Sequence, residues 1–309
     1  MMIFLFILFS CLTLSASNIE AYYRKVPHTT QCQAPRNIDF VYLINLDKRP
    51  ERWLNCMIQL GPRGIIPQRF AGIYGWTLSP EDLQDIGLKF EPDMWTGREP
   101  VMYFPPDKNG EHIFINLDHS CYGRAVYSGW TVKGAIGCIL SHLSVLKDAY
   151  DSGHNTVWVM EDDVILIDDP HKLSDAIVAL DALVGKDNWD VLYTDCDYLK
   201  LDETKTLTEQ VPLLWRPDMP FRDFSFMAEH QDLNEQFMQI GSRIRAHSII
   251  YRRSGLRKIL EYFHTHDYFL PYDWEIALVP EIKLFTVKKD IVSFHEVTSD
   301  TRIRHFDEY

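Results

Sequence analysis

The 309-residue chain is long enough to bury a substantial core, and its 46% hydrophobic and 24% charged residues are typical of a globular protein. Its 31 basic and 44 acidic residues give a net charge of −13. This charge argues against a general nucleic-acid binder, because such a protein needs basic patches that neutralise phosphates. A small anionic ligand would need a local cation or arginines to bind against the overall field.

The N-terminal residues have the pattern of a targeting segment. Positions 1–14 are almost wholly apolar, and small residues follow at positions 15–17. The apolar run is too short for a comfortable membrane span, so it predicts a signal peptide or a short N-terminal anchor over residues 1–17. We therefore expect an exported or secretory-pathway protein, with the N-terminus as its one candidate for membrane association.

The cysteines after this segment do not form a recognisable framework. They are odd in number, widely scattered and without the spacing of zinc ligands, so neither a disulfide framework nor a zinc site is expected. A single bridge involving Cys32 is left open. These cysteines are Cys32, Cys56, Cys121, Cys138 and Cys196.

The first regular elements are predicted to be a strand and a helix. Residues 40–44 are a buried-strand candidate, and an amphipathic pattern runs from Pro50 to Ile58. Pro50 suits a first helical turn, and Asp47 is expected to cap the helix. Residues 69–73 predict a second short strand.

Residues 80–130 break this regular pattern and are rich in aromatic side chains. Two roles are open for these rings. They could stack on the CH faces of a sugar or form a lid, or they could pack a long excursion onto the body of the domain. The rings concerned belong to Trp95, Tyr103, Phe104, Tyr122, Tyr127 and Trp130.

An acidic motif follows the most apolar strand candidate of the chain. Residues 137–150 have a helical period, and residues 156–160 then form an apolar run that ends in Glu161, Asp162 and Asp163. Adjacent carboxylates repel one another unless a cation, hydrogen bonds or solvent offset their charge. The motif therefore predicts an Mg²⁺ or Mn²⁺ site at the end of a strand, and the alternative is a solvated acidic loop.

The remaining elements alternate between strands and helices. Helices are predicted over residues 174–184, 254–263 and 272–279, and strands over residues 190–193, 247–251, 282–287 and 291–294. No internal repeat or long polar linker interrupts them. This order predicts a single α/β domain with helices on both faces of its sheet.

Three segments in this order resemble the motifs of glycosyltransferase family 25, which includes lipooligosaccharide galactosyltransferases and collagen β-galactosyltransferases. They are VYLINLDKRPER at 41–52, GCILSHL at 137–143 and VMEDDV at 159–164. WDVLY at 189–193 and PYD at 271–273 are similar to weaker later blocks. The resemblance covers residues 38–305, which we take as the catalytic domain.

The resemblance implies a GT-A fold, a Rossmann-like mixed sheet whose acidic motif binds Mn²⁺ or Mg²⁺. It further implies a UDP-sugar as the donor, a glycan, lipooligosaccharide or glycoprotein acceptor, and an inverting transfer. In a eukaryote the expected compartment is the lumen of the endoplasmic reticulum or Golgi. No nucleic-acid partner is expected, and the oligomeric state is left open.

Within this resemblance the metal ligands are expected to be Asp163 and Glu161, with His295 as a third. Asp162 would bridge to the ribose or turn into the fold. Asp195 and Asp197 are the rival pair, because they have the Asp-x-Asp spacing usual in GT-A enzymes and also follow a strand.

The resemblance also suggests the other site residues. Asp273 is the leading candidate for the base that deprotonates the acceptor hydroxyl, and Glu275 is the second. The donor-binding candidates are Asn45, Arg49, Arg52, Ser141, His142 and Asp162, with arginine favoured for its planar fork of donors. Asp300 and Arg302 are candidates for a C-terminal flap. The competing hypothesis is a catalytically inactive relative that binds carbohydrate or serves in adhesion.

Overall fold

Eight strands form one mixed sheet at the centre of the protein. A computed structural model describes residues 17–27, 31–96, 100–108, 111–197, 216–219, 224–295 and 299–301. The predicted leader, except Ser17, and Arg302 lie outside these residues. The strands run in the order β10-β11-β13-β9-β12-β7-β1-β2. They are β1 Phe40–Asn45, β2 Gln68–Ala71, β7 Thr156–Glu161, β9 Val191–Tyr193, β10 His230–Asp232, β11 Phe237–Ile240, β12 Ser248–Arg252 and β13 Leu284–Val287.

Parallel and antiparallel pairs are combined in this sheet. The pairs β1–β2, β1–β7 and β9–β13 are parallel, whereas β12 runs antiparallel to both β7 and β9. Six further strands form three small two-stranded sheets outside it. They are β3 Leu88–Lys89, β4 Val101–Tyr103, β5 Ile113–Ile115, β6 Ala125–Val126, β8 Val164–Leu166 and β14 Val292–Phe294.

Helices cover both faces of the central sheet, as the alternation of elements predicts. Within the described ranges they are α1 Pro50–Leu60, α2 Pro80–Ile86, α3 Lys133–Asp151, α4 Lys172–Val184, α5 Arg253–Thr265 and α6 Tyr272–Leu278. Alternate side chains of β7 point to opposite cores: Val157 and Val159 pack with α3 and α5, and Trp158 and Met160 pack with α1 and α4. The predicted α/β class and single Rossmann-like domain are confirmed.

The start of α1 differs in one detail from the sequence-based expectation. Pro50 does occupy the first turn, but the N-cap position belongs to Arg49 and has no side-chain cap. Asp47, which we expected to cap the helix, instead pairs with Arg69 at 2.8 Å. The neighbouring strand β2 supplies this arginine, and the sequence around Asp47 does not reveal it.

The aromatic excursion over residues 80–130 packs onto the domain through some of its rings. Phe104 and Tyr127 are buried in the core that contains α3, whereas Trp95, Tyr122 and Trp130 are 38%, 45% and 56% exposed. The packing role is therefore filled by one subset, whereas the other three rings are partly exposed to solvent. Among the described helices none is both long and apolar enough to cross a membrane. The five cysteines named above are free thiols.

Candidate active site

The site lies where β1 and β7 end side by side. These strands are parallel, with Ile44 opposite Glu161, so the polar residues that follow them meet at one edge of the sheet. Ligands of open α/β sheets bind at this carboxyl edge. A cavity opens here and is lined by residues that include Arg52, Tyr74, Cys138, Ser141, His142, Glu161, Asp162, Asp163 and Asp300.

Asn45 and Asp162 join the first motif to the acidic motif. The buried Asn45 amide donates to Asp162 Oδ2 at 2.7 Å and to the Arg49 carbonyl at 2.8 Å, and its Oδ1 accepts from Arg69 at 2.8 Å. Arg52 donates to Asp162 Oδ1 at 3.3 Å. Burial raises the pKa of Asp162, and the bonds from Asn45 and Arg52 oppose that rise. Asp162 is therefore turned into the fold.

Glu161 is held by two side chains from one face of α3. His142 Nε2 lies 2.8 Å from Glu161 Oε1, and the Cys138 thiol contacts the same oxygen at 3.6 Å. Burial alone would raise the pKa of Glu161, but the His142 hydrogen bond and charge outweigh it and hold the pKa below its ordinary value. His142 also stacks on the Tyr272 ring, with 4.5 Å between centroids. The geometry makes His142 an orienting group for Glu161.

Asp163 has the least compensated carboxyl group of the motif. Within the described part of the chain, its buried Oδ1 has no hydrogen-bond partner. Burial, followed by the charges of Glu161 and Asp162, raises the pKa of Asp163 to about 8. His295 lies beside it, because the His295 amide donates to the Asp163 carbonyl at 2.8 Å. That contact is made by backbone, and His295 itself is exposed.

A close helix–loop contact builds one wall of the cavity. Gly75 and Gly137 pack so tightly that a Cβ on either would overlap the backbone of the other segment. Ser141 Oγ accepts a 2.8 Å bond from the Ile73 amide and donates to the Gly137 carbonyl at 2.7 Å. Ser141 therefore fixes the loop that borders the cavity, and its hydroxyl is engaged in that task.

Asp273 stands near the acidic motif at the start of α6. Its Oδ2 accepts a 2.6 Å bond from the Arg245 amide, and Arg245 has a left-handed φ of 79°. Burial raises the pKa of Asp273 to about 6; the backbone bonds oppose this rise, and the Glu161 charge adds to it. A carboxyl group with this pKa is well matched to proton abstraction near neutral pH.

Glu275, the second candidate base, occupies a different environment. It is fully buried and accepts bonds from the amides of Phe269 and Leu270 at 3.0 and 2.9 Å. The hydroxyl of Tyr262 and the guanidinium of Arg216 bind its carboxylate as well. These contacts give Glu275 a structural role in holding the segment before Asp273.

Asp195 and Asp197 do not point to a shared site. Asp195 is buried in an ion pair with Arg243 and a 2.9 Å contact with His247. Burial would raise the pKa of Asp195, but His247 and Arg243 hold it well below the ordinary value. Asp197 is partly exposed and pairs with Arg245 at 2.8 Å. Because each carboxylate is paired separately, the Asp-x-Asp spacing does not produce a common metal site in this structure.

Two donor sets around Glu161 could hold a cation. Cys138, His142 and Glu161 have donor atoms within 4.8 Å of one another. Burial and the Glu161 charge raise the pKa of Cys138 well above its ordinary value, so it is a neutral thiol, whereas metals bind the thiolate. The Asp163 oxygen that has no hydrogen-bond partner among the described residues fits a hard cation such as Mn²⁺ or Mg²⁺ better.

Some of these residues were not singled out from the sequence. Cys138 is not among the predicted site residues, although its i, i+4 spacing to His142 places both on one face of a helix. Arg245 carried no sequence signal, because its role depends on a backbone amide. Arg49 was considered as a donor ligand, and the structure pairs it with Asp300 at 2.6 Å.

Comparison with known proteins agrees with this architecture. The family model described as "Glycosyltransferase family 25 (LPS biosynthesis protein)" matches residues 38–275. A glycosyltransferase 25 family member of Aedes aegypti is 25% identical over 168 residues, 54% of this chain and 23% of its own length.

Two mammalian relatives carry a different description. "Inactive glycosyltransferase 25 family member 3" of Mus musculus is 28% identical over 156 residues, and that of Homo sapiens is 25% identical over 187. These matches cover 50% and 60% of this chain but only 21% and 26% of the relatives. The matched part thus spans about a quarter of the curated relatives' length. Since the family model covers most of the chain, this protein belongs to glycosyltransferase family 25.

Proposed function

We propose that this protein is a metal-dependent glycosyltransferase that moves a hexose, such as galactose, from a UDP-sugar to an acceptor hydroxyl with inversion. The acceptor is a glycan, a lipooligosaccharide or a hydroxylated protein. One observation carries the proposal: the buried Asp163 Oδ1 has no partner within the described residues, and Asp163 lines the same cavity as Glu161 and Arg52.

Each part of the acidic motif has a separate task in this proposal. Glu161 and Asp163 hold Mn²⁺ or Mg²⁺, which would neutralise negative charge on the departing diphosphate. Asp162 keeps the turn in place through Asn45 and Arg52. His142 directs Glu161 into the cavity, and His295 is a third ligand only if its exposed ring turns toward Asp163.

Arg49 and Arg52 bind the phosphates of the donor. Both follow β1; Arg52 lines the cavity, Arg49 pairs with the cavity residue Asp300, and the guanidinium fork of each matches a phosphate oxygen pair. Together with the cation they provide the local positive charge that a donor requires against the net charge of −13. Ser141 contributes by fixing the loop that borders the donor.

Asp273 is the base of the proposed reaction. It removes the proton of the acceptor hydroxyl, whose oxygen attacks the anomeric carbon while the bond from that carbon to the diphosphate oxygen breaks. The raised pKa of about 6 leaves Asp273 ionised at neutral pH yet able to take a proton. Glu275 has no part in this step because its oxygens are engaged in the core.

The test is UDP release across a panel of UDP-sugars with Mn²⁺, using the chain without residues 1–17. We expect turnover with at least one donor and its loss in Asp163→Ala. The control is Glu229→Ala, which replaces an exposed acidic residue outside the cavity. A wild type that releases no UDP with any donor overturns the proposal.

A catalytically inactive carbohydrate-binding or adhesion protein is the second candidate, because two of the relatives above are named inactive. Calorimetry separates the two candidates. The enzyme is expected to bind UDP in a Mn²⁺-dependent manner. The alternative predicts glycan binding without nucleotide binding.

A further inference from the structure

The cavity already contains an anionic group of the protein itself. It belongs to the strap, which we define as residues 299–301. Asp300 in this strap accepts hydrogen bonds from Arg49 Nε at 2.9 Å and from Arg49 Nη2 at 2.6 Å. Arg52 Nη1 lies 3.3 Å from the same carboxylate, whose side chain is only 9% exposed. The two arginines proposed to bind phosphate are thus occupied by a carboxylate.

The contact geometry is the one that a phosphate would use. Arginine offers two parallel N–H donors, and this fork matches a carboxylate and a phosphate equally well. Arg52 contacts Asp162 and Asp300 through the same nitrogen, both at 3.3 Å, so it lies between the acidic turn and the strap. The carboxylate of Asp300 therefore marks an anion position next to the candidate cation site.

The strap backbone is fixed at two points. Trp76 Nε1 donates to the Asp300 carbonyl at 3.0 Å. At the second point, Thr301 packs against Gly134 of α3 so closely that a Cβ at position 134 would overlap the Thr301 backbone. All three strap residues line the cavity. The strap is therefore held against the cavity by the Trp76 loop and by α3.

We propose that Asp300 is an internal anionic ligand, which occupies Arg49 and Arg52 until the diphosphate of the donor displaces it. The identity of the displacing ligand rests on the proposed function above; the displacement itself requires only a phosphate-bearing ligand. Binding then includes the cost of opening the strap. The apparent affinity is the intrinsic affinity multiplied by the fraction of protein in which Asp300 has left the two arginines.

Removing the Asp300 charge tests this competition directly. Asp300→Asn keeps the shape of the side chain but weakens its hold on the arginines, so the dissociation constants of UDP and of inorganic pyrophosphate are expected to fall. A closed state favoured about ten to one gives a roughly tenfold tightening. The matched control is Asp175→Asn, which removes an exposed aspartate that pairs with Arg36.

Calorimetry on the full chain measures both ligands, with UDP in MnCl₂ and pyrophosphate without added metal. Trp76→Phe provides a second variant, because it releases the strap backbone without changing any charge and is also expected to tighten binding. Thermal melting of each variant confirms that it is folded. The control Asp175→Asn should bind as the wild type does.

The outcomes separate this inference from the proposed function. Tighter pyrophosphate binding in Asp300→Asn, with no UDP binding in any variant, supports the internal ligand and overturns the UDP-sugar donor. Wild-type UDP binding that is unchanged or weakened in Asp300→Asn overturns the internal ligand and leaves the donor proposal standing. Failure of both ligands to bind any variant overturns the anion site itself.

Discussion

The side-chain amide of Asn45 donates a 2.7 Å hydrogen bond to Asp162, and this bond ties the end of β1 to the acidic turn after β7. The two residues are far apart in the chain but adjacent across parallel strands. The same side chain also donates to the Arg49 carbonyl and accepts from Arg69. A single buried amide therefore connects the start of α1, strand β2 and the acidic turn.

Asn45→Ala is therefore expected to destabilise the fold strongly. It leaves the buried carboxylate of Asp162 without its closest donor, and one unsatisfied buried group costs about 1–3 kcal/mol. Urea unfolding measures the loss. Asn55→Ala on the exposed surface of α1 is the control and should change the free energy of unfolding by less than about 0.5 kcal/mol. Equal stability of the two variants would contradict the structural role.

His142→Phe is expected to weaken Mn²⁺ binding by about 10–100-fold, the range typical of lost ligand-orienting contacts. Phenylalanine can keep the stacking on Tyr272 but cannot donate to Glu161. His142→Gln is the matched variant, because its amide can supply a donor, and it should retain most of the affinity. Calorimetric titration with MnCl₂ compares them. Wild-type affinity in the phenylalanine variant would exclude an orienting role for His142.

Asp163→Asn is expected to stabilise the metal-free protein above neutral pH. The folded pKa of Asp163 is about 8, whereas an unfolded aspartate ionises near 3.8. Between these values the folded state retains a proton that the unfolded state has lost, so Asp163 makes stability fall as pH rises through this window. Asparagine resembles the protonated carboxyl group, so the substitution is expected to remove the loss of stability with rising pH.

Thermal melting from pH 5 to pH 8 measures this effect. In EDTA at pH 8, Asp163→Asn should melt above the wild type, by roughly 2–4 °C for each kcal/mol that the substitution adds to the free energy of unfolding. In MnCl₂ the order should reverse, because only the wild-type carboxylate can bind the ion. An identical pH dependence in both proteins would show that Asp163 is not protonated at neutral pH.

Asp273→Asn is expected to lower kcat by roughly 10²–10⁴-fold while leaving the UDP affinity unchanged. In the wild type, kcat/KM should fall as pH decreases through about 6, because protonation of Asp273 removes the base. Asp267→Asn, which removes a nearby partner of Lys89, is the control and should keep full activity. If kcat/KM of Asp273→Asn still fell as pH decreased through about 6, another residue would be the base.

Glu275→Ala is expected to lower the free energy of unfolding by about 3–5 kcal/mol, because it removes a buried carboxylate that accepts from Arg216, Tyr262 and two backbone amides. Arg216 keeps its second carboxylate partner, Asp218. Glu261→Ala, at an exposed ion pair on α5, should have little effect. The Glu275→Gln protein should remain catalytically active below its melting temperature. Complete loss of kcat in a folded Glu275→Gln protein would instead favour Glu275 as the base.

The local pattern of the chain was sufficient for most of the secondary structure. The continuous apolar run before Glu161 predicts β7, and the helical periods predict α1, α3 and α5, because burial selects these spacings directly. The alternation of these elements also predicts the α/β class. Cap positions were less predictable, because Asp47 pairs with Arg69 on the neighbouring strand β2 and does not cap α1.

The residue types of the candidate site could also be read from the sequence, but their roles could not. Glu161, Asp162 and Asp163 are consecutive in the chain, yet each has a different environment. His142 orients Glu161, and Asn45 and Arg52 hold Asp162. Asp163 has a buried oxygen with no partner in the part of the chain that the structure describes. These differences depend on residues from other strands and helices.

By itself, the sequence determined an α/β domain with an acidic motif at a strand end and arginines after the first strand. Hydrophobic periodicity and motif order carry that information, because both are local. Only the tertiary structure decided that Asp195 and Glu275 are engaged in buried ion pairs, and that Asp300 occupies Arg49. Pairing between charges depends on distances across the folded chain, which sequence separation does not contain.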